Sequence, residues 1–96
     1  MKLNLIDLKQ DVYMKAPTGG DFDRMKAFHE KDKSEIRDSS YIAMCAVDKD
    51  GKQLFKPESY KSIREEWTLR DQRIAVDKAL ELCGMTEDFQ DKVKNE

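Results

Sequence analysis

The fold is decided by residues 41–47, the most apolar stretch of this 96-residue chain, which read Tyr41-Ile42-Ala43-Met44-Cys45-Ala46-Val47. A run this short fits either a buried strand or a buried helix. Its two alanines and its methionine favour a helix, because only Ile42 and Val47 are β-branched. Extended back to Ile36, this helix would cover about 14 residues, with Ser34 as its N-cap. Since the run is apolar on all sides, we expect it at the centre of the core.

Downstream of this run, a turn and a proline predict another helix. Residues 48–51, Asp-Lys-Asp-Gly, predict the turn, because Asp and Gly end a helix and supply a left-handed conformation. Residues 53–55, Gln-Leu-Phe, then return to the core. Pro57 fits the first helical turn, where its missing N–H costs nothing. The residues that follow on one helical face are Tyr60, Ile63 and Trp67.

A further helix is predicted to begin at Thr68. The spacing from Thr68 to Asp71 is typical of a capping box. Apolar residues from Ile74 to Cys83 give the helix a wide apolar face, and Gly84 is suited to cap its end. One or two more helical turns are predicted from Thr86, followed by a frayed tail over residues 94–96.

Upstream of the apolar run, the chain is predicted to begin extended and then to become helical. Residues 1–17 form the extended segment. The Leu3/Leu5 alternation suits a short β-strand, although Leu5 and Leu8 could also begin a helix, and residues 12–14 fit a second extended piece. The sequence Ala-Pro-Thr-Gly-Gly at 16–20 indicates a break, and a helix starts at Asp21. We therefore predict a mainly α-helical single domain over residues 1–96, whose helical body spans 21–93. It is a small bundle of about four to five short helices.

Composition limits the classes of partner. Charged residues make up 40% of the chain, hydrophobic residues 39%, and 18 basic against 20 acidic residues give a net charge of −2. Because the two signs are mixed along the chain, no concentrated basic face is expected, and nucleic acid is not a predicted partner. No apolar run suggests a membrane span or a signal peptide, so we expect no membrane partner and a cytoplasmic location. The two cysteines are then expected to be reduced, semi-buried thiols.

Candidate catalytic and metal-binding residues are few. His29, the one histidine, lies beside Glu30 and is expected to be solvated, with no Ser or Cys nucleophile near it. Residues 48–51 are not a calcium loop, because glycine is fourth and the twelfth position is Ser59. The glycines at 19–20 lack the lysine of a phosphate loop. We predict no catalytic, cofactor or metal site, and no enzymatic activity.

Trp67 and the arginines around it form the most distinctive surface pattern. Arg64, Arg70 and Arg73 flank the tryptophan at three-residue spacing. Arginine beside an aromatic residue occurs in single-strand binding sites and in protein interfaces. Neighbouring acids cancel the positive charge here, and the pattern therefore favours a protein interface.

The order of these elements from Glu35 to Asp88 resembles that of the tail assembly chaperones of long-tailed, siphophage-type bacteriophages and prophages. The resemblance rests on the apolar helix, the Asp-x-x-Gly turn with Leu54-Phe55 after it, the final step Leu82-Cys83-Gly84-Met85, and the early Thr18-Gly19-Gly20 break. It implies a protein without enzymatic activity that coats the tape measure protein and keeps it soluble. It also implies recruitment of tail tube subunits.

The resemblance also implies a location and partners. The protein would act in the host bacterial cytoplasm, bind the tape measure and tail tube proteins, associate with its own copies, and be absent from the finished virion. We expect five residues to line or support the protein-binding surface: Phe55, Tyr60, Trp67, Arg64 and Arg70. For the aromatic residues the competing interpretation is a place in the core. The alternative function is a small helical regulator that binds DNA or a protein partner through Arg64, Arg70 and Arg73.

Overall fold

The computed structural model of the protein describes residues 2–84, and within this range it is mainly helical. In chain order, the elements are β1 (Tyr13–Met14), α1 (Gly19–Asp32), α2 (Asp38–Cys45), β2 (Ala46–Val47), a 3₁₀ turn (Pro57–Ser59), α3 (Tyr60–Glu66) and α4 (Leu69–Leu82). The strands β1 and β2 pair antiparallel, with Tyr13 opposite Val47. The predicted fold class is therefore confirmed. The predicted helical turns from Thr86 and the tail at 94–96 lie outside the described residues.

The core is built around α2, as its composition predicts. Ile42 and Cys45 are completely buried, and α2 packs against α1, α3 and α4. The other buried apolar residues of the same cluster are Leu3, Val12, Met14, Met25, Ala43, Met44, Ala46, Ile63, Trp67, Ala75, Val76 and Ala79. One core thus joins elements from both halves of the described chain.

Helix α2 is shorter at both ends than predicted. Ser34 does not cap it, because Lys33 adopts a left-handed conformation (φ 56°) and the Ser34 N–H donates to the carbonyl of His29, ending α1. At the other end, Ala46–Val47 leaves the helix and pairs with β1. The Ala46 carbonyl also accepts the Leu54 N–H at 3.1 Å. The run is therefore helix for its first part and strand for its end.

Helix α1 begins two residues earlier than predicted. The Thr18 hydroxyl accepts the Asp21 N–H at 3.1 Å, and the Asp21 carboxylate accepts the Thr18 N–H at 2.9 Å. This reciprocal cap includes Gly19 and Gly20 in the first turn, so the glycine pair lies inside the helix. Met25 is buried on the inner face.

The signals predicted between α2 and α4 are confirmed. The Asp48 carboxylate accepts the N–H groups of Asp50 and Lys52, both at 2.9 Å, and Gly51 has a φ of +84°. Pro57 opens the 3₁₀ turn that leads into α3, and Thr68 is the N-cap of α4. Each of these signals depends on residues only a few positions apart, so it can be recognised in the sequence.

Asp71 ties the N-terminal segment to α4. Its predicted return bond to Thr68 is not formed, and only the Thr68 hydroxyl contributes to the cap. The Asp71 carboxylate instead accepts the N–H groups of Ile6 (2.7 Å), Asp7 (3.0 Å) and Leu8 (2.8 Å). Burial alone would raise the pKa of Asp71, but these three donors outweigh it and the pKa is lowered. We call Asp71 with the backbone of residues 6–8 the N-terminal clasp.

Candidate protein-binding surface

Of the three aromatic residues predicted to line or support the surface, two are buried in the core and the third packs against it. Tyr60 and Trp67 are 5% and 7% exposed, and Phe55 is half-buried. The Phe55 and Trp67 rings meet edge to face, with centroids 6.1 Å apart. Tyr60 and Trp67 can therefore only support a binding surface from below, whereas Phe55 is partly exposed, and the role of all three in binding stays a prediction.

The arginines predicted around Trp67 differ in what they contact. Arg70 makes a two-pronged contact with the Asp7 carboxylate, and Arg73 lies 3.6 Å from Asp77. Arg64, on α3, has no carboxylate within ion-pair distance among residues 2–84. Two of the three arginines named for the alternative function thus have a carboxylate neighbour.

A groove lies between the first turns of α2 and α4. Its volume is about 410 Å³, and it is lined by Arg37, Asp38, Ser39, Arg64, Leu69 and Gln72. Leu69 is 85% exposed, and Ile6 is the other exposed large apolar residue in the described range. We call this feature the α2–α4 groove. Apart from Arg64, its members were not among the predicted site residues.

The exposure of Leu69 follows from how α4 begins. Thr68 sets the first turn, and Asp71, Ala75 and Ala79 face inward at four-residue spacing. Leu69 precedes Asp71 by two residues, which rotates it about 200° around the helix, away from the core. A helical-wheel argument from the predicted cap could therefore have found this leucine, because it stands outside the apolar face of its helix.

Side chains at the base of the groove hold its shape. The Gln72 amide donates to the carbonyls of Trp67 (2.8 Å) and Arg64 (3.3 Å), which fixes the corner between α3 and α4. Ser39 is 1% exposed, and its hydroxyl has no hydrogen-bond partner among the described residues. An unsatisfied buried hydroxyl is uncommon in folded proteins. The groove therefore combines a fixed frame with a buried hydroxyl that no described residue satisfies.

The prediction that His29 is solvated is wrong. The side chain is 2% exposed, and its two ring nitrogens lie 2.9 Å from the Ser34 hydroxyl and 2.8 Å from the Ser40 hydroxyl. The chain folds back over the ring after α1, which places both serines against it. The Ser40 hydroxyl, itself buried, also accepts the Arg37 N–H at 3.0 Å. Since this hydroxyl is already bonded and closed off, we assign the His–Ser pair a structural role.

We expect stability to depend on the charge of His29. Burial lowers the pKa of this ring from its usual 6.5, and Lys61 lowers it further, although Asp32 raises it. The neutral ring is therefore favoured in the fold, and its contribution is complete above pH 6.5 and declines as the pH falls towards the lower folded value. Urea unfolding between pH 7.5 and about 5 should show this decline, because the carboxylates titrate lower. The variant His29→Gln should flatten it, and an equal slope in both proteins would contradict the assignment.

Both cysteines are free thiols. Cys45 is completely buried. Burial, and to a lesser degree the neighbouring Cys83 side chain, raises the pKa of Cys45 to about 12. Burial also raises the pKa of Cys83, which is partly exposed. Cys45 is therefore a core residue, as its place in the apolar run predicts. Its thiol stays protonated, and a protonated thiol is a poor nucleophile.

Residues 2–84 show neither a membrane-spanning helix nor a cluster of metal ligands. Within residues 2–84, no helix has both the length and the apolar character of a membrane span. Nor does this part of the chain bring three or more His, Cys, Asp or Glu side chains together as metal ligands. The chain matches no protein-family model, no curated protein and no solved structure. The α2–α4 groove is therefore interpreted from its own chemistry.

Proposed function

We propose that the protein is a tail assembly chaperone of a long-tailed phage or prophage, which binds the tape measure protein and keeps it soluble. The observation that carries the proposal on the structural side is Leu69, a large apolar side chain that stands 85% exposed in a defined groove. The resemblance of the sequence order supplies the class of partner. Recruitment of tail tube subunits, self-association and action in the host cytoplasm are parts of the same proposal.

The physical requirements of such a chaperone support this proposal. A long helical partner exposes apolar stripes before assembly, and a groove with an apolar anchor can cover them. High mixed charge on the remaining surface favours solubility of the coated complex.

Co-expression with the tape measure protein encoded in the same genome tests the function. We expect the tape measure protein to accumulate in the soluble fraction with this chain and to precipitate without it. The two proteins should also co-elute in size-exclusion chromatography. Equal solubility of the tape measure protein in both cultures would reject the proposed function.

Replacing Leu69 with serine should separate binding from folding. Because Leu69 is exposed, Leu69→Ser should change the free energy of unfolding by no more than about 0.5 kcal/mol. We expect at least a fivefold loss of co-purified tape measure protein. The matched control is Ile6→Ser, which removes an exposed apolar side chain outside the groove. If both variants retain the partner equally well, Leu69 is not part of the binding surface.

A further inference from the structure

We propose that the α2–α4 groove holds a carboxylate of the partner while an apolar side chain beside that carboxylate packs on Leu69. The occupant is thus an acidic amphipathic segment of a partner protein. Its identity as the tape measure protein rests on the proposed function. The chemistry expected of the occupant does not depend on that function, because it follows from the residues that line the groove.

Two arginines that no carboxylate among residues 2–84 pairs with line this groove. Of the five arginines in the chain, Arg24, Arg70 and Arg73 each contact a carboxylate. Arg37 and Arg64 have no such partner among residues 2–84, and both line the same cavity. Guanidinium groups bind carboxylates through charge-assisted hydrogen bonds. A groove bordered by the two free arginines is complementary to an anionic partner.

The first turn of α2 adds polar donors at the same place. Helix α2 begins at Asp38, and the N–H groups of Asp38 and Ser39 have no acceptor within the described part of the chain. The positive end of a helix dipole favours an anion there. The buried Ser39 hydroxyl, which also lines the groove, has no partner either. An incoming carboxylate would satisfy donors that the fold leaves unused.

Leu69 restricts the occupant to one that is also apolar. A free anion would leave this exposed side chain in water, whereas a helical segment with leucine next to glutamate would cover it. Asp38 supplies a further test, because its exposed carboxylate lines the same groove and should repel the occupant. Neutralising Asp38 is therefore expected to strengthen binding, which a merely damaged fold would not do.

The direct test is an NMR titration of the full chain with two matched helical peptides. Both peptides carry the same leucines, and the flanking positions are glutamate in one and lysine in the other. We expect the glutamate peptide to shift the amide resonances of Arg37, Ser39, Leu69 and Gln72, and to bind more weakly as NaCl is raised. Equal binding of both peptides, or shifts confined to other surfaces, would overturn the proposal.

Charge variants provide the second arm of this test. The double variant R37E/R64E should lose at least fivefold in affinity for the glutamate peptide. The matched control K26E/K49E changes net charge equally at two exposed lysines outside the groove, and it should bind like the wild type. D38N should gain about twofold, as expected for removal of one repulsive charge. If the control lost as much affinity as R37E/R64E, the loss would come from net charge alone, and the groove would not be the binding site.

The same variants distinguish this inference from the proposed function. If the wild-type chain keeps the tape measure protein soluble and R37E/R64E does so equally well, the carboxylate site is wrong and the chaperone function stands. If the glutamate peptide binds as expected but the tape measure protein is not kept soluble, the groove is correct and its partner is another acidic protein.

Discussion

Replacing Asp71 with asparagine is expected to lower the free energy of unfolding by about 2–4 kcal/mol. The Asp71 carboxylate is completely buried, and both of its oxygens accept backbone N–H groups of residues 6–8. An asparagine has one acceptor oxygen, so its NH₂ group would face at least one N–H donor in a space without water. Urea denaturation at pH 7 would measure the loss.

The matched control for this prediction is Asp77→Asn on the same helix. Asp77 is exposed and lies 3.6 Å from Arg73, so its loss should cost no more than about 0.5 kcal/mol. The pH dependence adds a second check. Because the pKa of Asp71 is lowered from 3.8, its contribution is complete above that pH and is lost as the pH falls through the folded value. A similar small effect of both substitutions would show that the N-terminal clasp adds little stability.

Replacing Trp67 with alanine should have a comparable or larger effect, about 3–5 kcal/mol. Trp67 is 7% exposed and packs against Phe55, so its removal leaves a cavity beside α3. The milder variant Trp67→Phe retains most of the volume and should lose less. Thermal unfolding of both variants checks the order. If Trp67→Ala kept full stability but abolished partner binding, the tryptophan would belong to the binding surface and not to the core.

Features that depend on near neighbours could be predicted from the sequence. The turn at 48–51, the proline at the start of the 3₁₀ turn and the Thr68 cap each use contacts within a few residues. The central position of α2 also follows from its own composition. The ends of α2 could not be predicted, because Ser34 can cap the following helix or close the preceding one. The fold selects the second when Lys33 turns left-handed.

Features that depend on residues distant in the sequence could not be predicted from local patterns. His29 sits beside acids in sequence, yet it is buried by serines that the backbone brings over it. Asp71 fits a local capping box, yet it contacts residues more than sixty positions away. In both cases a local pattern was outweighed by a tertiary contact. The candidate site shows the same limit, since the sequence leaves open whether the aromatic residues line the surface or support it from the core, and only the fold shows that Tyr60 and Trp67 are buried.

The N-terminal clasp also bears on the order in which this chain acquires its structure. The donors at residues 6–8 leave the ribosome before their acceptor does, because Asp71 is made 65 positions after Ile6. Until then, the N–H groups of residues 6–8 lack the carboxylate that attaches them to α4. Synthesis runs from the N-terminus, so this segment is secured only when α4 emerges. The clasp therefore forms only when the later part of the chain is present, and a product that stops before residue 71 would leave residues 6–8 without the acceptor that attaches them.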